Sequence, residues 1–263
     1  MTDTTHLLPA LEALTREAGR VVMAIYATPF EVQGKADASP VTLADQQAEQ
    51  VITEGLRALT PDLPIVAEEA MAAGASPDLA AGGGRFWLVD PLDGTREFVQ
   101  RNGEFTVNIA LIERGVPVLG VVLAPALDEG RGRLWSGVVG QGAWVSDAQG
   151  RRTMACRAVP EPGLTVLGSR SHGDAAALDA YLAGRQVAEV KAAGSSLKLC
   201  LIAEGCADLY PRFGRTMEWD IAAGHAVLAA AGGRVCTLEG APLAYGKPGF
   251  ENPHFVAEGG AAA

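Results

Sequence analysis

The sequence predicts a mixed α/β protein in two parts, the first α+β around an antiparallel sheet and the second α/β. Three observations carry that reading. Before Pro61, apolar residues recur at helical spacing. From Phe105 to Trp144, the runs FTVNIALI, VPVLGVVLA, RLWSGVVG and GAWVS are separated by turns containing Gly or Pro, the pattern of hairpins. Beyond Ala158-Val159-Pro160-Glu161-Pro162-Gly163, strand-like and helix-like segments alternate. That stretch is the expected boundary, dividing the chain into 1–157 and 158–263. Its 263 residues suit one large domain or two fused halves.

Leu8, Leu11, Leu14, Ala18, Val21, Val22 and Ile25 share one face of a first amphipathic helix. The segment EVQGKADASPV, with its Gly and Pro, reads as a loop. A second helix places Ala48, Val51, Ile52, Leu56 and Leu59 together, and Thr42 with Asp45 has the spacing of a capping box at its start. Pro61 to Pro64 ends it, and Ile65-Val66-Ala67 reads as a short strand running into Glu68-Glu69. Residues 71–84 are rich in Ala and Gly without periodicity and are expected to form a mobile surface loop. Phe86 to Val89 is a buried-strand candidate that ends in Asp90-Pro91-Leu92-Asp93-Gly94-Thr95.

In the second part, Leu164 to Leu167 reads as a strand and Ala175 to Leu182 as a helix. Further helices are expected from about Ser196 to Glu204 and from about Asp220 to Ala231, where Gly232-Gly233 stops the last one. The terminal AEGGAAA is expected to be disordered.

Acidic residues outnumber basic ones 31 to 21, a net charge of −10, which argues against a nucleic-acid polymer as partner. Hydrophobic residues make up 48%, ample for a sizeable core. Cys156, Cys200, Cys206 and Cys236 have neither C-x-x-C spacing nor a neighbouring His, so buried free thiols are expected in place of zinc or disulfides. The opening MTDTTHLLPALEAL has no basic region followed by an apolar run, and Val116 to Leu127 falls short of the about 18 residues a membrane span needs. A cytoplasmic location is expected, with peripheral contact at the inner membrane left open. Monomer and homodimer are not distinguished.

The chemistry lies in carboxylates placed at the ends of predicted elements. Glu68 and Glu69 follow a strand, Asp90 and Asp93 flank a Pro-Leu pair after another, and Asp220 begins a helix. Such positions present side chains rigidly to a shared cleft. A kink at Pro91 and a turn at Gly94 can aim Asp90, the Leu92 carbonyl and Asp93 at one point, where oxygens suit Mg²⁺ or Mn²⁺. Singly, each residue has an ordinary reading: Asp93-Gly94 a turn, Glu68-Glu69 a solvated pair, Asp45 a cap, Asp220 a partner of the helix dipole. No P-loop, no G-x-G-x-x-G and no G-x-S-x-G elbow is present, and Asp90 and Asp93 are too far apart for a nucleophilic-aspartate phosphatase.

The ordered set Asp45, Glu68-Glu69, Asp90-Pro-Leu-Asp93-Gly-Thr95 and Trp219-Asp220-x-x-Ala223-Gly224 resembles the inositol monophosphatase superfamily of lithium-sensitive, Mg²⁺-dependent phosphatases. The likeness runs from the first helix to about Gly233. Within the superfamily, SPVTLAD, DPLDGTREFVQRNGEFTVNIALI, SRSH, SSLKLCLIAEGCADLYPR and WDIAAGHAV resemble the bacterial 3'(2'),5'-bisphosphate nucleotidases.

That resemblance implies a layered αβαβα sandwich of the inositol monophosphatase and fructose-1,6-bisphosphatase type, with the metal site between the two parts. It implies removal of phosphate from adenosine 3',5'-bisphosphate, a by-product of sulfate assimilation, leaving AMP. Two or three Mg²⁺ would be held by Glu68, Asp90, the Leu92 carbonyl, Asp93 and Asp220, with Mn²⁺ able to substitute. Asp45 and Thr95 would orient and deprotonate the attacking water, and Gly94 and Thr95 would touch the scissile phosphate. His172, Ser195, Lys198 and Arg212 would hold the rest of the substrate. The first three also have ordinary readings, as a loop histidine, an N-cap and a surface lysine. Clustered carboxylates would repel a phosphate ester unless cations neutralise both, which supports the metal. The alternatives are an inositol or sugar phosphate as substrate, and a non-catalytic nucleotide-binding sensor.

Overall fold

The computed structural model describes residues 4–34, 40–169 and 175–260. Helix α1 (Leu8–Tyr26) is followed by the ribbon β1 (Gln33–Gly34) and β2 (Pro40–Val41), then by α2 (Leu43–Leu59), β3 (Ile65–Ala67) and the single turn α3 (Glu68–Ala72). Next come β4 (Arg85–Asp93), α4 (Thr95–Val99), β5 (Thr106–Glu113), β6 (Val116–Ala124) and a turn, α5 (Leu127–Gly130). Strands β7 (Arg133–Val138), β8 (Gly142–Asp147) and β9 (Gly150–Met154) complete the first sheet. The remainder holds β10 (Leu164–Ser169), α6 (Ala175–Leu182), β11 (Val187–Ala193), α7 (Leu197–Ala203), β12 (Leu209–Arg212), α8 (Glu218–Ala230), β13 (Arg234–Thr237) and β14 (Phe255–Glu258).

Strands β3 to β9 lie in sequence order in a seven-stranded sheet, antiparallel except for the β3–β4 pair. Its strands β4 to β6 are buried on both faces, which is why they read as nearly unbroken apolar runs. The two-residue period divides them. Trp87, Val89, Ile109 and Leu111 join the core beneath α1 and α2, while Phe86, Leu88, Ala110 and Ile112 join the core on the opposite face. That second core continues through α7 and α8 to Tyr210, Val235, Phe255 and Ala257 of a five-stranded sheet, ordered β11-β10-β12-β14-β13. Helix α6 covers the far side through Leu178, Tyr181 and Leu182, against Val166, Leu209 and Val256. The layers are therefore αβαβα, as expected.

Helix α8 packs on β4 to β8 and also on β13, so it is buried nearly all round. Its small residues meet glycines in the sheet. A Cβ on Gly120 would lie 2.4 Å from the Ala223 carbonyl oxygen, and one on Gly137 would lie 2.8 Å from the Val227 Cα. On the helix's other side, a Cβ on Gly224 would lie 2.6 Å from Leu199 Cδ1. Backbone meets backbone here, with no room for a methyl group.

Several expectations are corrected. Residues 71–84 are not a bare loop: Asp78 caps a 3₁₀ turn at Leu79–Gly82, and Leu79 packs on the core. Strand β4 runs on through Pro91 to Asp93, because a register shift between Asp90 and Asp93 spares the proline a ladder bond. Residues 257–260 are ordered: Ala257 and Glu258 pair with both β12 and β13. Helix α8 starts at Glu218, ahead of Asp220. Only Cys200 of the four free cysteines is buried, and Cys206 is exposed just beyond α7. No helix among the described residues is long and apolar enough to cross a membrane.

Two predictions follow from α8. Gly120→Ala should destabilise by about 1–3 kcal/mol, since the added carbon must push the helix off the sheet. Because α8 carries Asp220, any activity that depends on this carboxylate should fall in the same variant, and urea unfolding with a parallel activity assay checks both. The second concerns His225, buried with Nδ1 2.9 Å from the Tyr245 hydroxyl and pushed down to about 4 by desolvation. The unfolded chain takes up this proton near 6.5, the folded chain only near 4. Stability from this group is thus complete above pH 6.5 and lost as pH falls toward 4, by on the order of 3 kcal/mol. Comparing wild type with His225→Gln at pH 7.5 and 4.5 should recover that difference.

Candidate active site

The start of α3, the end of β4 with α4, the segment before α7 and the start of α8 line one cavity of about 650 Å³, which Asp45 of α2 reaches through Thr95. Asp45, the third residue of α2, accepts from the Thr42 amide at 2.7 Å and the Thr42 hydroxyl at 2.8 Å, completing the capping box. The Thr95 hydroxyl reaches its other oxygen at 3.3 Å and, equally, the Leu92 carbonyl at 3.3 Å. One buried carboxylate thus serves both the helix and the site.

Glu68 opens α3, whose start is fixed by a second acid of α2. Glu49 accepts from the amides of Glu69 at 2.7 Å and Ala70 at 2.9 Å. Asp93 ends β4 and Gly94 follows with φ of 90°, a left-handed conformation that starts α4 and leaves Thr95 facing the cavity. Asp220 is the third residue of α8 and accepts from the Met217 amide at 2.9 Å. Glu218, fully buried, accepts from the amides of Gly246 and Lys247 and from the Lys247 ammonium, which anchors that end of the helix.

The opposite wall is the segment before α7. Ser196 donates to Asn108 at 2.7 Å and shares a 2.9 Å hydrogen bond with Thr106, tying α7 to β5, while the Gly194 amide donates to Glu104 at 2.8 Å. Ser196, not Ser195, occupies the N-cap position, and Ser195 has φ of 39°. The reading of Ser195 as a cap is therefore corrected. Lys198 is no surface lysine either: it is 4% exposed, and its ammonium donates to the carbonyls of Ala193 at 2.9 Å and Ser195 at 2.6 Å. Arg212 is buried as well and donates to the Arg215 carbonyl at 3.0 Å.

Glu68, Asp93, Gly94, Thr95, Ser195, Lys198, Arg212 and Asp220 line this one cavity. Asp90 lies behind the wall, fully buried, accepting from the Leu92 amide at 3.0 Å, and Leu92 also stays off the lining. His172 lies outside the described residues. Sequence reasoning missed Glu49, Glu97, Glu218, Arg96 and Arg215. Glu49 had a signal: it stands four residues after Asp45, on the same helical face as the apolar stripe. The other four had none.

The acids oppose one another. Burial pushes Asp93 up to about 7, aided by the charges of Glu68 and Glu97 and resisted by Lys198. Asp220 is raised well above the usual range by burial first, then by Asp93 and Glu68. Lys198 is held down to about 8, again chiefly by burial, with Asp93 pulling the other way. By the chemistry of its donors, an all-oxygen set whose members repel suits a hard divalent cation. Among the described residues no three His, Cys, Asp or Glu side chains stand close enough to hold an ion as they are.

A profile of the inositol monophosphatase family matches residues 3–262. The chain is 49% identical over 245 residues to the 3'(2'),5'-bisphosphate nucleotidase CysQ of Escherichia coli strain K12, covering 92% of this chain and 95% of that protein. Among solved structures, CysQ from Bacteroides thetaiotaomicron superposes with a TM-score of 0.80 at 34% identity, covering 98% of this chain and 99% of the other. The Thermotoga maritima IMPase superposes with a TM-score of 0.77 at 26% identity, covering 97% and 92%.

The repulsion makes a prediction for the protein in chelator. Asp93 holds its proton in the folded state up to about 7 and in the unfolded state only to about 4. Wild-type stability should therefore decline from pH 4 to 7 relative to Asp93→Asn, which carries no charge at this position. The melting temperature of the variant should match wild type near pH 4, exceed it increasingly up to pH 7, and keep a constant lead above.

Proposed function

This chain belongs to the inositol monophosphatase family, and on that premise we propose that it is a 3'(2'),5'-bisphosphate nucleotidase, releasing phosphate from adenosine 3',5'-bisphosphate to leave AMP. The observation that carries the reading is the meeting, in one cavity, of an acidic floor (Glu68, Asp93, Asp220) with the cations Lys198 and Arg212. The floor suits metal and the cations suit an anionic ester. A non-catalytic sensor would have no use for Thr95 set against Asp45.

In this reading Glu68, Asp93 and Asp220, with Asp90 and the Leu92 carbonyl, would hold Mg²⁺ or Mn²⁺. Such cations, when bound, polarise phosphoryl oxygens and acidify water. Thr95 then orients the attacking water, and Asp45 takes up its proton through the Thr95 hydroxyl. Asp45 is suited to this because its second oxygen is held by Thr42, which fixes the carboxylate in place. Gly94 lets the backbone approach the phosphate where a side chain would stand against Glu104, Glu97 and Ser195. Lithium inhibition and a cytoplasmic role in sulfate assimilation belong to the same reading.

The test is phosphate release from adenosine 3',5'-bisphosphate, 5'-AMP, inositol 1-phosphate and fructose 1,6-bisphosphate with Mg²⁺. The bisphosphate nucleotide should lead in kcat/KM, 5'-AMP should stay intact, and excess chelator should abolish turnover. Thr95→Ala should lower kcat by about 10²–10⁴-fold with little change in KM. A preference for inositol 1-phosphate would overturn the substrate, and full activity in chelator would overturn the metal.

A further inference from the structure

Two further cations line the cavity, and the roles assigned so far do not use them. Arg96 sits in α4 directly after Thr95, and Arg215 lies in the segment joining β12 to α8. Both are exposed, in contrast to the buried Lys198 and Arg212. They come from different elements: Arg96 belongs to the one that carries Thr95, and Arg215 to the segment that leads into Asp220.

The deeper cations, besides lining the cavity, also hold the fold. The Lys198 ammonium donates to two main-chain carbonyls, faces the Tyr210 ring at 5.1 Å and offsets the charge of Asp93. Arg212 donates to the carbonyl of Arg215, so a buried arginine sets the backbone from which an exposed one projects. The Arg215 guanidinium meets Glu251 at 3.2 Å, but these side chains are 59% and 58% exposed. Solvent leaves such a pair with little energy, so a phosphate can displace the glutamate at small cost. A guanidinium matches phosphate with two parallel hydrogen bonds, which an ammonium cannot do.

A bisphosphate substrate has one phosphate at the acidic floor and another that calls for cations of its own. We propose that Arg96 and Arg215 together clamp the phosphate that is not cleaved, and so set the preference for a bisphosphate over a monophosphate. The inference rests on the nucleotidase reading above.

Its test uses the whole enzyme with Mg²⁺. Arg96→Ala and Arg215→Ala should each raise KM for adenosine 3',5'-bisphosphate, lowering kcat/KM roughly ten- to a hundredfold while kcat changes little. Arg→Lys at either position should recover part of the loss. Inhibition by 5'-AMP, which keeps only the uncleaved phosphate, should weaken in proportion, while inhibition by inorganic phosphate, which binds at the floor, should not change. Melting curves confirm that the variants are folded. If wild type shows no preference for the bisphosphate, the nucleotidase reading itself fails, and the clamp with it. If wild type shows the preference and both variants keep it, or if AMP and inorganic phosphate weaken equally, the clamp is wrong and the nucleotidase reading stands.

Discussion

The closeness of α8 to the large sheet is the constraint on which the rest of the molecule depends. Gly120 and Gly137 face Ala223, Ala226, Val227 and Ala230 with no space for a Cβ, so helix backbone lies directly on strand backbone. That contact fixes where the helix begins, and the helix begins with Glu218, Trp219 and Asp220. Glu218 spends its buried charge on the 246–247 amides and Lys247, which stops the first turn from rotating. Asp220 is then held on the same cavity as Asp93, although the two lie in different layers. A helix with both flanks buried has no polar face, and WDIAAGHAVLAA accordingly shows almost no amphipathic pattern.

The acidic floor costs the fold energy, and the surrounding polar groups limit that cost without removing it. Asp45 and Glu49 are satisfied: each accepts backbone hydrogen bonds at a helix start, where a negative charge is favoured. Asp220 also accepts such a bond, from the Met217 amide, yet burial and mutual repulsion still oppose the charged forms of Asp93 and Asp220. The distinction separates carboxylates that build the site from those that face its contents. Lys198 belongs to both groups, because its two carbonyl acceptors fix the loop before α7 while its charge offsets Asp93. Removing it would disturb the loop as well as the electrostatics, so a simple loss of activity in such a variant would not identify a substrate contact.

What was legible in the sequence follows from how strongly each element depends on local pattern. Helices α1 and α2 bury one stripe each and showed it in their periodicity. Strands β5 to β8 announced themselves through apolar runs and glycine turns. Strand β11 was hidden because most of its side chains are exposed, and β14 because it is short and runs into small residues that imitate a disordered tail. Helix α4 is a single turn created by the left-handed Gly94, which a pattern reads simply as the end of a strand. In the site, Glu68, Asp93 and Asp220 were legible because each stands at the end of an element, whereas Asp45 and Thr95 entered only through the resemblance. Arg96 and Arg215 were not legible, because a surface arginine has the same local signature wherever the fold turns it.

The distribution of charge also explains how so acidic a protein can receive an anion. A net charge of −10 argues against an extended polyanion, whose grip depends on a broad basic face that displaces counterions along many phosphates. A small ester makes no such demand. It enters a cavity whose low-dielectric walls make the local field, not the distant surface charge, decide its energy. In that cavity Arg96 and Arg215 stand at exposed positions, Lys198 and Arg212 are buried, and the carboxylates form the floor where divalent cations suit the donor set. The sign of the field therefore changes over the length of one ligand. Composition alone could argue against the polymer but say nothing of the ester, because only the fold determines which few of the 21 basic residues share a wall.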